Sequence, residues 1–362
     1  MGVEEEFHLL DAESGQLRPR AAEVLSATTG RLAEETEPEI LPTQVEIGSP
    51  VCTHLTDLHA HLARQRRDLT AAAATAGCRI VATGTWPAKT PPVLPTPQQR
   101  YQELVDAVGP TARRPACGCH VHVSVADPDL RVAVIRRVRP WLPVLLAISA
   151  NSPYLDGSDT GYHSYRSQVW ARWPTAGSPP ALRSMAEYDE VVSALLATGV
   201  LRDKGMLYWD ARASQRYDTV EFRVTDVCLR LTDAVLIAGL ARGLTRTAVA
   251  QERAGQRCDD LRPELLKAAH WQAARNGLGG RLVDPLTGRP APAAEVVSQF
   301  YEHVRPALEV DGDVDLIATG LAELARRGTG AAAQRRAFAR AGRISDVIAM
   351  LADETAEPGA GS

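Results

Sequence analysis

The sequence lacks any run of about eighteen apolar residues, the length that a membrane-spanning helix needs. Its opening stretch, MGVEEEFHLLD, lacks the basic start and apolar core of a signal peptide. These absences argue against a membrane role and make the cytoplasm the expected compartment. An excess of basic residues is also missing: 40 Lys and Arg stand against 44 Asp and Glu, for a formal net charge of -4. Without a basic stripe there is no electrostatic footprint for nucleic acid, and a small-molecule substrate is favoured. The six cysteines are scattered, and Cys117-Gly118-Cys119 lacks the two-residue gap of zinc knuckles and thioredoxin-like sites. Reduced, partly buried thiols are expected. No internal repeat is visible.

What is present is the balance of a globular protein, 45% hydrophobic and 23% charged over 362 residues. Period-2 segments at 3–10, 44–49, 79–85, 119–125, 206–212 and 219–225 predict strands. Helical patterns occupy 53–76, 97–108, 128–149, 184–198, 229–252, 262–276 and a C-terminal third from about 293 to 353. Strands concentrate early and helices late, so an α+β fold is expected rather than an alternating barrel. The Pro/Gly clusters at 87–97 and 173–180 read as loops, because the strand pattern resumes after each. A single domain over 1–353 and a disordered tail over 354–362 follow. The apolar helix 229–241 suits either a core or a dimer face, which leaves a homo-oligomer open.

Alternate residues of a strand share a face, so the charges can be sorted by parity. Glu4, Glu6 and His8 oppose Val3, Phe7 and Leu9. Gln44 and Glu46 oppose Val45 and Ile47, and His120, His122 and Ser124 oppose Cys119, Val121 and Val123. Asp210 and Arg212 flank Ala211. Glu221, Arg223 and Thr225 oppose Val220, Phe222 and Val224. A solvated face would favour Thr, Lys, Ser and Gln. These faces carry mostly carboxylates, imidazoles and guanidinium groups, and no lysine. Converged, Glu4, Glu6, Glu46, Asp210 and Glu221 set five negative charges against Arg212 and Arg223, which repel one another unless cations neutralise them. Hard divalent ions on oxygen ligands, with one imidazole, would do so. Taken singly, His-x-His can be a structural or surface pair and Glu-x-Arg a cross-strand salt bridge; their joint occurrence with matching parity points to a metal-dependent enzyme.

The stretches GVEEEF, QVEIGSPVC, RYQELVDAVG, GCHVHVSV, AISANSPYLDGSDT, MLYWDARASQRYDTVEFRVTDVCL and ARNGLGGRLVDPLTGRPAP resemble, in the same order, the carboxylate-amine ligases of the glutamate-cysteine ligase type 2 family. The likeness runs from Gly2 to about residue 350. It implies a glutamine synthetase-like fold, with a curved, mainly antiparallel catalytic sheet backed by helices. EEEFHLLD, QVEI, His-x-His-x-Ser and Glu-x-Arg are similar to the metal motifs of glutamine synthetases. Carried over by position, Glu6 and Glu46 would hold one Mg2+ or Mn2+ ion, and Glu4, His120 and Glu221 a second. His122 and Arg223 would face the phosphate of ATP, and Arg212 would assist from its strand. The implied reaction phosphorylates a carboxylate, glutamate in the best-known members, and an amine then captures the acyl phosphate.

The family usually has Gly-Thr-His-Pro where this chain has GTWP, so Trp86 stands where a histidine would lie near the site. It is either a substrate contact or a core aromatic. The chain opens directly on its first catalytic strand, which implies a short strand or a misassigned start. Arg166 falls in a loop that the resemblance places by the substrate, where its fork suits an amino-acid carboxylate. Asp210 is a further candidate substrate contact. Two rivals remain: a zinc hydrolase built on His120 and His122, for which the histidines are few and the carboxylates many, and a ligase-derived binding protein without turnover, against which the intact metal set argues.

Overall fold

The molecule is built around one antiparallel sheet; the structure, a computed structural model, describes residues 1–90, 93–258 and 261–356. Its strands are β1 (Gly2–Asp11), β2 (Thr36–Pro38), β3 (Gln44–Gly48), β4 (Cys78–Val81), β5 (Gly118–Ser124), β6 (Ala211–Ala213) and β7 (Thr219–Asp226). They follow the order β2-β3-β1-β5-β7-β6, with β4 also paired to β1. β1 is ten residues long and central rather than short. β3 lies along one edge of it, and β5 and then β4 share the other.

The alternation expected from the sequence explains the layering. Val3, Val121, Val123, Val220 and Phe222 pack with Leu55, Leu58 and Leu62 of helix α1 (Leu55–Thr75) and with Val235 and Leu240 of helix α2 (Leu231–Arg253) in one buried core. α1 buries Leu55, Leu58, Leu62 and Leu69 along a single stripe, the spacing of an amphipathic helix. α2 is buried from Leu231 through Thr245 except at Thr232, so the apolar stretch that suited a core or a dimer face is core. The other face of the sheet is left free for chemistry.

Several expected elements are divided or shortened. The helix expected over 128–149 breaks into Pro128–Val138 and Leu142–Ser149 around a 3-10 turn at Arg139–Trp141. Pro140, lacking an amide hydrogen, accounts for the interruption. The C-terminal third is four helices (Ala293–Asp311, Val314–Arg327, Gly330–Ala341 and Ile344–Ala356), separated at Gly312, Gly328 and Gly342, which all have positive φ. The strand expected over 206–212 is confined to Ala211–Ala213, because Lys204–Met206 forms a 3-10 turn capped by Asp203. The strand expected over 79–85 ends at Val81; the hydroxyls of Thr83 and Thr85 then donate to the carbonyls of Asn151 and Tyr154. β2 had no forecast. Ile344–Ala356 extends into the stretch expected as a tail, with Thr355 fully buried and its hydroxyl accepting from the amide of Ala82. Residues 357–362 lie outside the described ones. No helix among the described residues is long and apolar enough to cross a membrane.

Candidate active site

Strand register brings the charged side chains together. Glu6 lies opposite Glu46 and Glu4 opposite His120. Next in the row, Glu221 lies opposite both His122 and Arg212. Directly opposed residues of an antiparallel pair share a face with Cβ atoms about 5 Å apart, so five strands deliver one continuous row of charge. A bulge modifies the row: Cys119 faces Thr225 and Val121 faces Phe222, so two residues of β5 span three of β7. One extra residue reverses the parity beyond it. Thr225 therefore turns from the site face and donates its hydroxyl to Cys119 O, whereas Asp226, opposite Gly118, joins the site side.

The row floors a cavity of about 410 Å3, lined also by Glu37, Glu39, Arg100, Tyr101, Trp170 and Tyr208. His120 stands between two carboxylates, Nδ1 3.2 Å from Glu4 Oε2 and Nε2 3.6 Å from Glu6 Oε1. His122 Nε2 lies 3.2 Å from Glu4 Oε1, and its Nδ1 is 2.9 Å from Thr219 Oγ1. Both Nε2 atoms are buried without an aligned hydrogen bond. Glu6 Oε2 accepts the amide of Gly118 at 2.6 Å. Arg212 grips Glu221 through Nε at 2.8 Å and Nη2 at 3.0 Å, and its Nη1 donates to the carbonyls of Gly205 and Leu207. Its donors are thereby occupied, which makes it a support for Glu221 rather than a free group. Arg223 also bonds Glu221 through Nη1, but its Nε has no partner.

Charge and burial divide these acids. Burial pushes Glu6 up to about 8, helped by Glu39 and opposed by Arg166. Glu46 is raised well above the usual carboxylate range by burial and by Glu4, Glu39 and Glu6. On the other side of the row, burial of Glu221 is outweighed by Arg223 and Arg212, which bring it down to about 2. Burial of Glu4 is likewise outweighed by its contacts with His120 and His122, and its pKa falls well below normal. Burial, reinforced by Arg223, lowers His120 to about 4, so its imidazole is neutral and able to donate a lone pair.

Among the described residues, two groups of acids and imidazole could hold a cation: Glu4 with His120 and Glu221, and Glu6 with Glu39 and Glu46, each with ligand atoms within 4.8 Å of one another. The donor sets fit hard divalent ions. Three crowded carboxylates, with Glu39 helping burial to raise both Glu6 and Glu46, call for a positive charge, and the orphaned imidazole nitrogens supply further lone pairs. Glu39 was not anticipated. It sits beyond β2 in a loop without period, and only its spacing of seven residues before Glu46 in EILPTQVE hints at it.

Relatives of known name carry the same chain almost end to end. The profile of glutamate-cysteine ligase family 2 matches residues 1–350. A Frankia alni protein under the provisional name glutamate-cysteine ligase 2-2 is 45% identical over 98% of this chain and 96% of its own. The chain belongs to glutamate-cysteine ligase family 2. It is an ATP-dependent ligase that joins a carboxylate to an amine. Two solved structures support the fold. A bifunctional glutathione synthetase from Pasteurella multocida superposes with a TM-score of 0.70 at 18% identity, over 98% of this chain and 52% of that longer one. A glutamate-cysteine ligase from Francisella tularensis, in complex with AMP, gives 0.69 at 11%, over 98% of this chain and 88% of its own.

Within the ligase, Arg166 and Asp210 are buried beside the backbone of Arg223 and are not among the residues that line the cavity. A Cβ on Gly118 would overlap the Arg166 guanidinium, so glycine leaves room for it in this position. The Arg166 fork stacks on Trp170, 5.4 Å from the ring centroid, and touches Arg223 O at 3.5 Å. Trp86 does not reach the cavity. Its ring is fully buried with Leu10, Leu17, Val81, Tyr154 and Leu229, edge-on to His8 at 5.7 Å, so of its two expected roles the structure assigns packing. His8 shares the parity of Glu4 and Glu6 yet is also buried, its Nε2 3.0 Å from Thr83 O. Glu5, passed over in the sequence, lies on the opposite face in a fully buried ion pair with Arg66.

Proposed function

We propose that this ligase activates the side-chain carboxylate of an amino acid, glutamate as the family name suggests, by phosphoryl transfer from ATP and passes the acyl group to an amine. The observation that carries the reading is the pair of cation-binding groups that share one cavity with Arg223. Glu6, Glu39 and Glu46 would hold one Mg2+ or Mn2+ ion, and Glu4, His120 and Glu221 the other; such ions draw charge from the transferring phosphoryl group.

The chain's own residues do the rest. The donor carboxylate oxygen attacks the γ-phosphorus as the bond to the β-phosphate oxygen breaks, and ADP leaves. Arg223, positioned by Glu221, offsets charge on the transferred group, and His122 lies within the same row on the phosphate side. Arg212 keeps Glu221 ionised and aimed. The amine nitrogen then attacks the acyl carbon, inorganic phosphate departs and the nitrogen loses a proton. Trp170 and Tyr208 wall the cavity and limit water at the acyl phosphate.

Incubation with ATP, Mg2+ or Mn2+, glutamate and a panel of primary amines tests this, with ADP measured and products weighed by mass spectrometry. The expected product has the mass of glutamate plus amine less water, formed with one ADP per amide. Metal-dependent hydrolysis of esters or amides without ADP release would favour a hydrolase and overturn the reading. The roles of the two histidines separate in metal activation curves: His120→Ala should shift the Mn2+ midpoint more than His122→Ala. Equal shifts would remove that division.

A further inference from the structure

Above the acids of its floor, the walls of the cavity show what kind of amine can enter. Among the described residues that line it, the guanidinium and ammonium groups are Arg100, Arg212, Arg216 and Arg223, with no lysine. In the ligase the metal ions and Arg223 are taken up by the phosphates and the donor, which leaves three arginines to meet any negative charge on the acceptor. Each of them is already closed on a carboxylate. Arg212 holds Glu221 and two carbonyls, and Arg216 holds Glu37 at 3.1 Å. Arg100, on the helix Gln99–Val108, grips Asp203 through Nε at 2.8 Å and Nη2 at 3.3 Å.

Arg100 and Asp203 are seated by their surroundings. Asp203 Oδ1 also accepts the amide of Met206, as the cap of the 3-10 turn Lys204–Met206. A Cβ on Gly205 would overlap both Arg100 Nη2 and Asp203 Oδ1, so glycine makes space for the pair. One helical turn on, Glu103 lies 3.6 Å from Arg202 and fastens the same two elements. The rest of this wall is aromatic. Tyr208 stands edge-on to Trp170, with centroids 4.9 Å apart, and leans on Trp173 at 4.8 Å, while Tyr101 gives its hydroxyl hydrogen to Pro38 O at 3.0 Å. An apolar body on the amine finds a preformed surface here. A carboxylate on it meets Glu37, Glu39 and Asp203 and no open cation, the arrangement by which a site rejects a ligand. We propose that the acceptor of this ligase is a primary amine with an apolar body and no α-carboxylate, and that Asp203 excludes α-amino acids by closing Arg100. This deepens the ligase reading and rests on it.

The experiment measures ADP release with ATP, Mg2+ and glutamate for two pairs of acceptors whose members differ by one carboxylate: phenylalanine with 2-phenylethylamine, and cysteine with cysteamine. The member without the carboxylate should have at least about tenfold higher kcat/KM in each pair, the scale of one unpaired charge. An α-carboxylate makes its amine less basic, so the amino acid supplies more free amine at a given pH and the preference cannot come from that supply. Asp203→Asn preserves the cap of the turn, which asparagine serves equally well, but releases Arg100. It should raise kcat/KM for phenylalanine and cysteine severalfold, chiefly through KM, and leave the other two amines and KM for ATP little changed. Equal or better use of the amino acids by the wild type overturns the proposal. So does a preference that Asp203→Asn leaves unmoved, the result expected if the pair only holds the helix to the turn. If Asp203→Asn does not fold, the wild-type pairs still decide. ADP release confined to the amino acids would leave the ligase reading standing and remove this inference alone, whereas no release with any of the four amines would strike that reading, and the proposal with it.

Discussion

Glu37 and Arg216 meet at 3.1 Å across the mouth of the cavity, although Glu37 lies on β2 and Arg216 in the turn joining β6 to β7, at opposite ends of the strand path. Contact between the two ends requires the sheet to curl strongly about its charged face, which concentrates the row of acids. The pair itself is exposed, Glu37 at 63% and Arg216 at 69%. Exposed ion pairs contribute little, so Arg216→Ala should change unfolding free energy by less than about 1 kcal/mol. Chemical denaturation measures this. A larger loss would mean that the pair, rather than strand pairing, maintains the curl.

The opposite expectation holds for Glu5 and Arg66. Both are fully buried; Arg66 Nε and Nη2 donate to Glu5 at 3.0 and 2.5 Å, and Arg66 also donates to the carbonyls of Cys228 and Leu229. Removal of one partner strands a buried charge, at about 3–5 kcal/mol. Glu5→Gln and Arg66→Met should each lower stability on that scale, and the double variant by less than the sum. Strict additivity would show that the two ends act independently.

Trp86 should behave as a core residue. Indole stands in place of imidazole at a fully buried position packed among apolar side chains and against the edge of His8, so Trp86→His removes buried apolar surface and sets a polar ring in the core. Destabilisation of about 2–4 kcal/mol is expected. The ratio of kcat/KM for cysteine against another amine should not change. A selective gain with cysteine would restore Trp86 to the substrate site.

The parts of this site that were legible in the sequence are those that obey strand parity. Glu4, Glu6, Glu46, His120, His122 and Glu221 alternate with apolar residues, and antiparallel register does the remainder. Glu39 escaped because its ligand role arises in a loop, and β2, only three residues with a proline, has no readable period. Glu5 could have been noticed, since three consecutive glutamates cannot share one face and the middle one must enter the core. Thr225 was misplaced because a one-residue bulge leaves no mark on hydrophobic alternation. His270, beside Asp210 in the fold, lies sixty residues beyond it in the chain, and no local pattern could join the two.

Acids crowded on one side of the row make metal affinity depend on pH, and the direction can be worked out. Glu6 titrates near 8 in the fold against 4.5 for an unperturbed glutamate, through burial and then Glu39, and Glu46 is likewise raised well above its ordinary value through burial, Glu4 and Glu39. Between these values the folded chain holds protons that the unfolded chain does not. The stability these groups contribute is therefore full below about pH 4.5 and is lost as pH rises through about 8 in the absence of metal. A divalent cation takes the place of the protons, so the gain in Tm from Mg2+ or Mn2+ over EDTA should be small near pH 5 and larger near pH 8.5. Glu46→Gln removes one ionising ligand. It should shrink the gain, flatten its pH dependence and, like Glu6→Gln, lower turnover by at least about two orders of magnitude. A metal-induced Tm shift that is equal at both pH values, or undiminished in Glu46→Gln, would place the ion away from these carboxylates.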